Sequence, residues 1–304
     1  MRLQYNPGSF SLGALDLPDE DNLIEGAGIE QTILTAESIT QNFSSGDRRL
    51  EIRNCTLLFP WAGTKLIKVT APQTSSNQRS MFQAQNVEFG DCFIELGNLW
   101  FPKFIDVIIR GGGIRSAQEV LMGLLLQNTH IFPPSEETGV KITGLAEGFV
   151  SENSSVEGSL DGFVIELSEP RPCGTFRGGH TATKRFGIRT VNCAQGFIEN
   201  FLGYRIGNVA HNSINAEGGG DVTVSNSKFV NLQEGSNKAD ASAVVIGAGH
   251  NYSKVIGCHA NSFGKAYWIQ GGASKTQGRG NSAYNCDTAL VNSGTGTDFE
   301  TVLV

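Results

Sequence analysis

Apolar residues in this chain alternate with polar ones over short runs and seldom recur at helical spacing. Asp221 to Phe229 reads D-V-T-V-S-N-S-K-F, with Val222 and Val224 set against Thr223 and Ser225, the period-2 pattern of a strand with one buried face. Asn226 interrupts the run and Phe229 restarts its apolar face. The unit returns at Arg49 to Leu57, with Leu50 and Ile52 inward and Asn54 at the bend, and again at Met81 to Phe89 and Phe186 to Cys193. Lys254 to Cys258 and Ala283 to Cys286 are weaker copies.

The bend residues Asn192, Asn226, Gly257 and Asn285 recur at roughly thirty-residue intervals, and Asn54 to Asn86 fits the same step, a period that signals a solenoid. A strand–bend–strand unit cannot bury its apolar face alone. Stacking the next unit about 4.8 Å above pairs its backbone and closes a continuous interior. Asn suits the corners, because it tolerates left-handed backbone and its amide can bond the next coil. These features predict an all-β chain forming a right-handed, single-stranded parallel β-helix. A β-sandwich is the competing reading, but its turns come at roughly 8 to 12 residues without a repeated Asn–apolar step.

Composition fits that picture. The 304 residues include 38 glycines and 9 prolines, which suits many corners and few helices. At about 25 residues per coil the chain makes on the order of ten coils and a rod of roughly 50 Å. The formal charge is -7 and no basic tract or basic–aromatic patch appears, so nucleic acid is not an expected partner. No run is long and apolar enough to insert in a membrane, and Met1 to Gly8 lacks the apolar core of a secretory signal. Cys55, Cys193, Cys258 and Cys286 each follow a bend residue, so they and the remaining pair, Cys92 and Cys173, read as buried free thiols.

Asn22 to Leu34 is the first informative run. Gly26, Gly28 and Thr32 do not make a dinucleotide fingerprint, since the third glycine is missing and Thr32-Ile33-Leu34 continues as strand. The run resembles the opening coil of the pectate-lyase-like right-handed β-helices of phage tailspikes and tail fibres, an apolar-x-G-x-G-x-x-x-T-x-apolar pattern, here Ile24, Gly26, Gly28, Thr32 and Leu34. The resemblance implies a parallel homotrimer, located in the virion, that binds a bacterial surface polysaccharide and meets other tail or baseplate proteins at its N-terminal end. It departs from that family in lacking the Asp-rich capping helix before the coil. The expected organisation is a lead-in or cap over 1–21, the β-helix over 22–292, and a cap or trimer-contact tail over 293–304.

Candidate chemistry is sparse. Alternation places Asp91, Phe93 and Glu95 outward around Cys92, Ile94 and Leu96, and Asp106, Ile108 and Arg110 outward around Ile105, Val107 and Ile109. Glu166 faces out opposite Phe163, Ile165 and Leu167. Glycoside hydrolysis needs two carboxylates roughly 5 to 10 Å apart. Asp91, Glu95, Asp106 and Glu166 are therefore the candidate catalytic carboxylates, with Arg110 as charge partner; the competing reading of each is a solvated carboxylate on an outer face. Trp61, Trp100, Tyr267 and Trp268 are candidates to stack on sugar rings or to fill the interior, and of the adjacent Tyr267 and Trp268 only one can point inward. Pro170 to Lys184 reads as a ligand-facing loop and Glu147 to Leu160 as a Ser/Gly/Glu loop. Glu119 to Leu126 reads as a strand pair or a helical turn. The scattered histidines offer no zinc spacing, there is no calcium-loop motif, and no cofactor is expected. The function expected is polysaccharide recognition with or without cleavage. A non-catalytic structural fibre and a secreted bacterial polysaccharide lyase or hydrolase are the other classes.

Overall fold

Asn86 donates from Nδ2 to Oδ1 of Asn54 at 2.9 Å, across 32 residues of chain. This contact is one rung of a corner that repeats through the whole molecule. The computed structural model describes residues 1–44, 47–59, 66–72, 80–116, 120–233 and 238–304. The chain is a right-handed parallel β-helix of about 12 turns, and the described strand pairings are parallel. Among the described residues the one helical turn is a 3-10 turn at Lys238–Asp240, and no helix is long and apolar enough to cross a membrane.

Each coil contributes to three ladders. In the first, Ile24, Ile52, Ala84, Phe104 and Leu126 lie in register and point inward. In the second, Leu34, Leu57, Phe89, Ile109 and Ile131 do the same. In the third the inward column runs Ile39, Ile67, Ile94, Ile114, Val140. All of these side chains are buried, each contributing about 1.5–3 kcal/mol where a large aliphatic or aromatic group leaves water. The ladders begin with Arg2–Gln4, paired to Asn22–Glu25, and end with Asp298–Leu303, paired to Gln277–Tyr284.

The corner between the first and second ladders holds Asn54, Asn86, Asp106, Asn128 and Asn153, all with φ between 49° and 54°. Asn226 and Gly257 occupy the same corner, where a Cβ on Gly257 would lie 2.8 Å from Asn226 Oδ1. The single thirty-residue column expected from sequence divides here. Asn285 stands on the second corner, 3.1 Å from Ser262 Oγ, and Asn192 on the third, stacked beneath Gly218. All three corners need left-handed backbone, so Asn marks a corner without saying which one. The repeat itself varies, from 20 residues between Asn86 and Asp106 to 32 between Asn54 and Asn86.

The same geometry corrects other expectations. Asp106 takes the corner at φ 54°, which resets alternation there; Phe104, not Ile105, points inward before Val107 and Ile109. Leu121–Met122 and Leu125–Phe132 are two strands in separate sheets, so the described part of the run expected as a strand pair or helical turn, 120–126, is no helical turn, and Glu119 lies outside the described residues. Pro170 to Lys184 lies largely within strands Ser155–Arg177 and His180–Glu199, and Glu147 to Leu160 contains strand Phe149–Glu152. The excursion that remains is marked by register shifts between Glu166 and Gly174. Cys173 and Cys193 form a disulfide, contrary to the all-thiol reading, because Asn192 puts Cys193 on the third corner in line with the excursion that carries Cys173. Cys55, Cys92, Cys258 and Cys286 are free and buried, and burial pushes the Cys55 thiol up to about 12.

Candidate glycan-binding groove

The third corner carries a small sheet of its own. Leu99–Trp100, Leu121–Met122 and Ala146–Glu147 pair in parallel, so Trp100, Met122 and Glu147 form an outward column while Leu99, Leu121 and Ala146 are buried. Alternation forces this division, since neighbouring residues of a strand face opposite sides. Arg171 comes from the excursion in the next coil, with Nη1 3.8 Å from Glu147 Oε2 and Nε 2.9 Å from Glu169 Oε1. Together they line a groove of about 200 Å3. A wider, shallow depression of about 530 Å3 adjoins it through the shared Leu145 and is flanked by Thr143, Glu166 and Ser168.

Phe101 adds a second aromatic. It is 43% exposed, its ring lies edge-on to Trp100 with centroids 6.1 Å apart, and its backbone sits at φ 51°. A bulky residue in that region costs about 1–3 kcal/mol. Gly123 in the next coil makes room for it, because a Cβ there would stand 2.3 Å from the Phe101 ring. The carboxylates at the groove are held by cations: Glu166 Oε1 is 2.7 Å from Arg189 Nη1, and Glu147 and Glu169 share Arg171. Such fixed, neutralised carboxylates accept hydrogen bonds from hydroxyl groups without leaving an uncompensated charge. An aromatic floor, an apolar Met and bidentate-capable polar groups at its rim suit the two-sided surface of a sugar, apolar on its C–H face and polar at its edge.

Of the sequence candidates, Trp100 and Glu166 line these adjoining depressions. The other carboxylates are dispersed. Asp91 is a second-corner residue beneath Gly111, and Asp106 a first-corner residue accepting from Asn128 Nδ2 at 3.0 Å. Glu95 stands on the third ladder, 3.1 Å from Lys68 Nζ, and Arg110 on the second, where Nε donates to Glu88 Oε1 at 2.7 Å. Asp91, Glu95, Asp106, Arg110 and Glu166 therefore do not share a groove. Tyr267 is the inward member of its pair, fully buried, with its hydroxyl 2.8 Å from the Cys258 carbonyl; it is a core residue and not a sugar platform. Trp268 faces out, half-buried, under Lys265 Nζ at 5.0 Å. Trp61 lies outside the described residues. Sequence reasoning missed Met122, Glu147 and Arg171, though the basic, glycine-containing run after Pro170 did signal the excursion that delivers Arg171.

The histidines are also less scattered than their spacing suggests. His130, Ser155 and His180 stack in one outward column of the second ladder, which continues through Leu202 and Lys228 to His259. His130 Nδ1 lies 2.8 Å from Ser155 Oγ and His180 Nε2 3.0 Å from Glu157 Oε1. His211 and His250 are buried instead. Among the described residues no three His, Cys, Asp or Glu side chains converge to hold a metal ion.

No family model matches the chain, and no curated protein does. Solved structures share its fold. The A-module of Azotobacter vinelandii mannuronan C-5 epimerase AlgE6 aligns with a TM-score of 0.67 at 14% identity, over 99% of this chain and 91% of that one. The AlgE4 A-module of the same organism aligns at 0.59 and 13%, over 100% and 88%. The catalytic domain of a GH87 alpha-1,3-glucanase in complex with nigerose aligns at 0.62 and 11%, over 97% of this chain and 63% of that one.

Proposed function

We propose that the chain is the recognition rod of a phage tailspike or tail fibre, a parallel homotrimer that binds a bacterial surface polysaccharide in the Trp100–Arg171 groove. The observation that carries the reading is the column of Trp100, Met122 and Glu147 beside Arg171, which offers one sugar an apolar face and polar rim. The fold is shared with an epimerase named for mannuronan and a glucanase bound to nigerose, which supports a polymeric carbohydrate as ligand. The Cys173–Cys193 bond suits an oxidising environment outside the cytoplasm. That bond equally favours a second reading, a secreted bacterial enzyme acting on polysaccharide.

The test is incubation of the protein with a panel of purified bacterial O-antigens and capsules, with binding and mass spectra of the products scored together. Binding without fragments is expected of a recognition rod. Fragments carrying an added water establish a hydrolase, and unsaturated ends a lyase. Absence of binding across the panel removes the glycan reading and leaves a structural virion component.

A further inference from the structure

A second groove opens farther along the same corner. It has a volume of about 320 Å3 and is lined by Asp221, Tyr252, Lys254, Lys275 and Gln277. Tyr252 is 55% exposed, with φ 63°, and Lys275 in the following coil has φ 53°. Two side-chain-bearing residues in consecutive coils thus adopt left-handed backbone at a place where glycine would relieve the strain. Their reward is a fixed arrangement: Lys275 Nζ lies 2.7 Å from the Tyr252 hydroxyl and 4.6 Å from the centre of its ring. Lys254 and Gln277 stand beside them, in register and exposed, on the first ladder.

Charge sets this groove apart from the paired arginines of the outer faces. Across the outer faces, Arg53, Arg110, Arg115 and Arg189 are each paired with a glutamate of the same or a neighbouring coil. Lys254 and Lys275 form no ion pair among the described residues. A chain with a formal charge of -7 therefore presents two ammonium groups outside any ion pair, with one carboxylate, Asp221, beside them, around an exposed aromatic ring.

The two grooves are also collinear. Arg171 is in register with Cys193 and then Gly219, and Pro172 with Gln195 and then Asp221, so the corner runs from the first groove into the second. The floor between them is kept low by small residues. A Cβ on Gly219 would meet the Cys193 carbonyl at 2.2 Å, and one on Gly220 the Ala194 carbonyl at 2.7 Å. From Pro172 to Lys254 is three coils, about 15 Å at the spacing of paired strands.

We propose that the Tyr252–Lys275 groove is a subsite for a carboxylate-bearing sugar, and that it and the Trp100–Arg171 groove hold successive parts of one acidic polysaccharide lying along the third corner. The proposal rests on the glycan reading above and narrows its ligand. Lys254 and Lys275 receive the carboxylate, the Tyr252 ring takes the apolar face of the sugar, and Gln277 and Asp221 bond its hydroxyls. Asp221 in the lining repels either anion, but a phosphate dianion about twice as strongly as a singly charged carboxylate, so the groove favours the carboxylate while Asp221 accepts from the sugar's hydroxyls.

The experiment titrates wild type, the Lys254→Gln/Lys275→Gln double variant and Trp100→Ala with a uronate-containing capsular polysaccharide and its carboxyl-reduced derivative, at two salt concentrations. Wild type is expected to bind the acidic form at least tenfold more tightly, and added salt to narrow the gap. The double variant is expected to lose that preference, and Trp100→Ala to weaken on both forms. Equal binding of the two forms by wild type overturns the proposal, as does a double variant that keeps the preference; if Trp100→Ala still weakens binding, the first groove survives. Loss of neither form's binding in Trp100→Ala removes the groove reading itself. Circular dichroism and melting of the double variant, whose changes are confined to exposed side chains, confirm that the fold is intact.

Discussion

Cys173 and Cys193 are joined across neighbouring coils at the third corner, and the bond anchors the excursion that carries Arg171 into the groove. The bridge closes a loop with a sequence separation of 20, which corresponds to about 3 kcal/mol through restriction of the unfolded chain. The Cys173→Ser/Cys193→Ser variant is expected to lose about that much in urea unfolding, and to bind glycan less tightly at temperatures where it remains folded. Reductant added to wild type should reproduce both effects and leave the double variant unchanged. Unaltered glycan affinity in the folded variant would separate the bond from the groove.

Trp100 is the aromatic floor of the first groove. Trp100→Ala is expected to reduce affinity for a bound polysaccharide at least tenfold, or about 1.4 kcal/mol, in calorimetric titration. Trp268, which faces outward on the third ladder away from that groove, serves as the control; Trp268→Ala should leave affinity within experimental scatter.

The corner asparagines can be dissected with one pair of substitutions. Asn86→Ala removes the amide bond to Asn54 and forces alanine into φ 52°, for a combined cost of about 2–3 kcal/mol. Asn86→Gly removes the amide bond alone and should cost about 1 kcal/mol. Denaturation midpoints are therefore expected to fall in the order wild type, Asn86→Gly, Asn86→Ala. A glycine variant no better than alanine would show that backbone conformation is not what selects Asn there.

His211 makes stability depend on acidity. Burial, with the nearby Arg205 charge adding to it, pushes its pKa down to about 3, although the Lys184 carbonyl 3.3 Å away works in the opposite direction. An unfolded chain binds that proton near pH 6.5, so the folded state is at full advantage above 6.5 and loses it as pH falls from 6.5 toward 3. Between pH 7 and 5 the loss is about 2 kcal/mol. His211→Gln should flatten that part of the curve when unfolding is followed at both pH values, whatever its effect at pH 7. A slope identical to wild type would mean that the imidazole takes up its proton in place.

Glu25 works in the acid range. Hydrogen bonds from Gln4 and Arg53 hold its pKa down to about 2, so its contribution is present above the ordinary carboxylate pKa of 4.5 and disappears as pH drops toward 2. Glu25→Gln should lower the unfolding midpoint at neutral pH and match wild type at pH 2.

The period-2 alternation at Val222 and Val224, the Asn and Gly bends, and the glycine-rich composition determined a parallel β-helix, because each coil's alternation and corner conformation are set by residues close in sequence. The inward positions of Cys92, Ile94 and Leu96 were legible for the same reason. Corner identity was not. Asn54, Asn192 and Asn285 carry the same residue type and backbone conformation at three different corners, and which ladder follows depends on what stacks beneath. The site was read only in fragments. Trp100 and Glu166 could be named, but Glu147 and Arg171 reach Trp100 through interstrand register, a relation between coils with no signature inside any one of them. Tyr267 and Trp268 state the division most simply. Alternation required that one be buried, and only the fit of the Tyr267 hydroxyl to the carbonyls of Cys258 and Ser282 in the interior decided which.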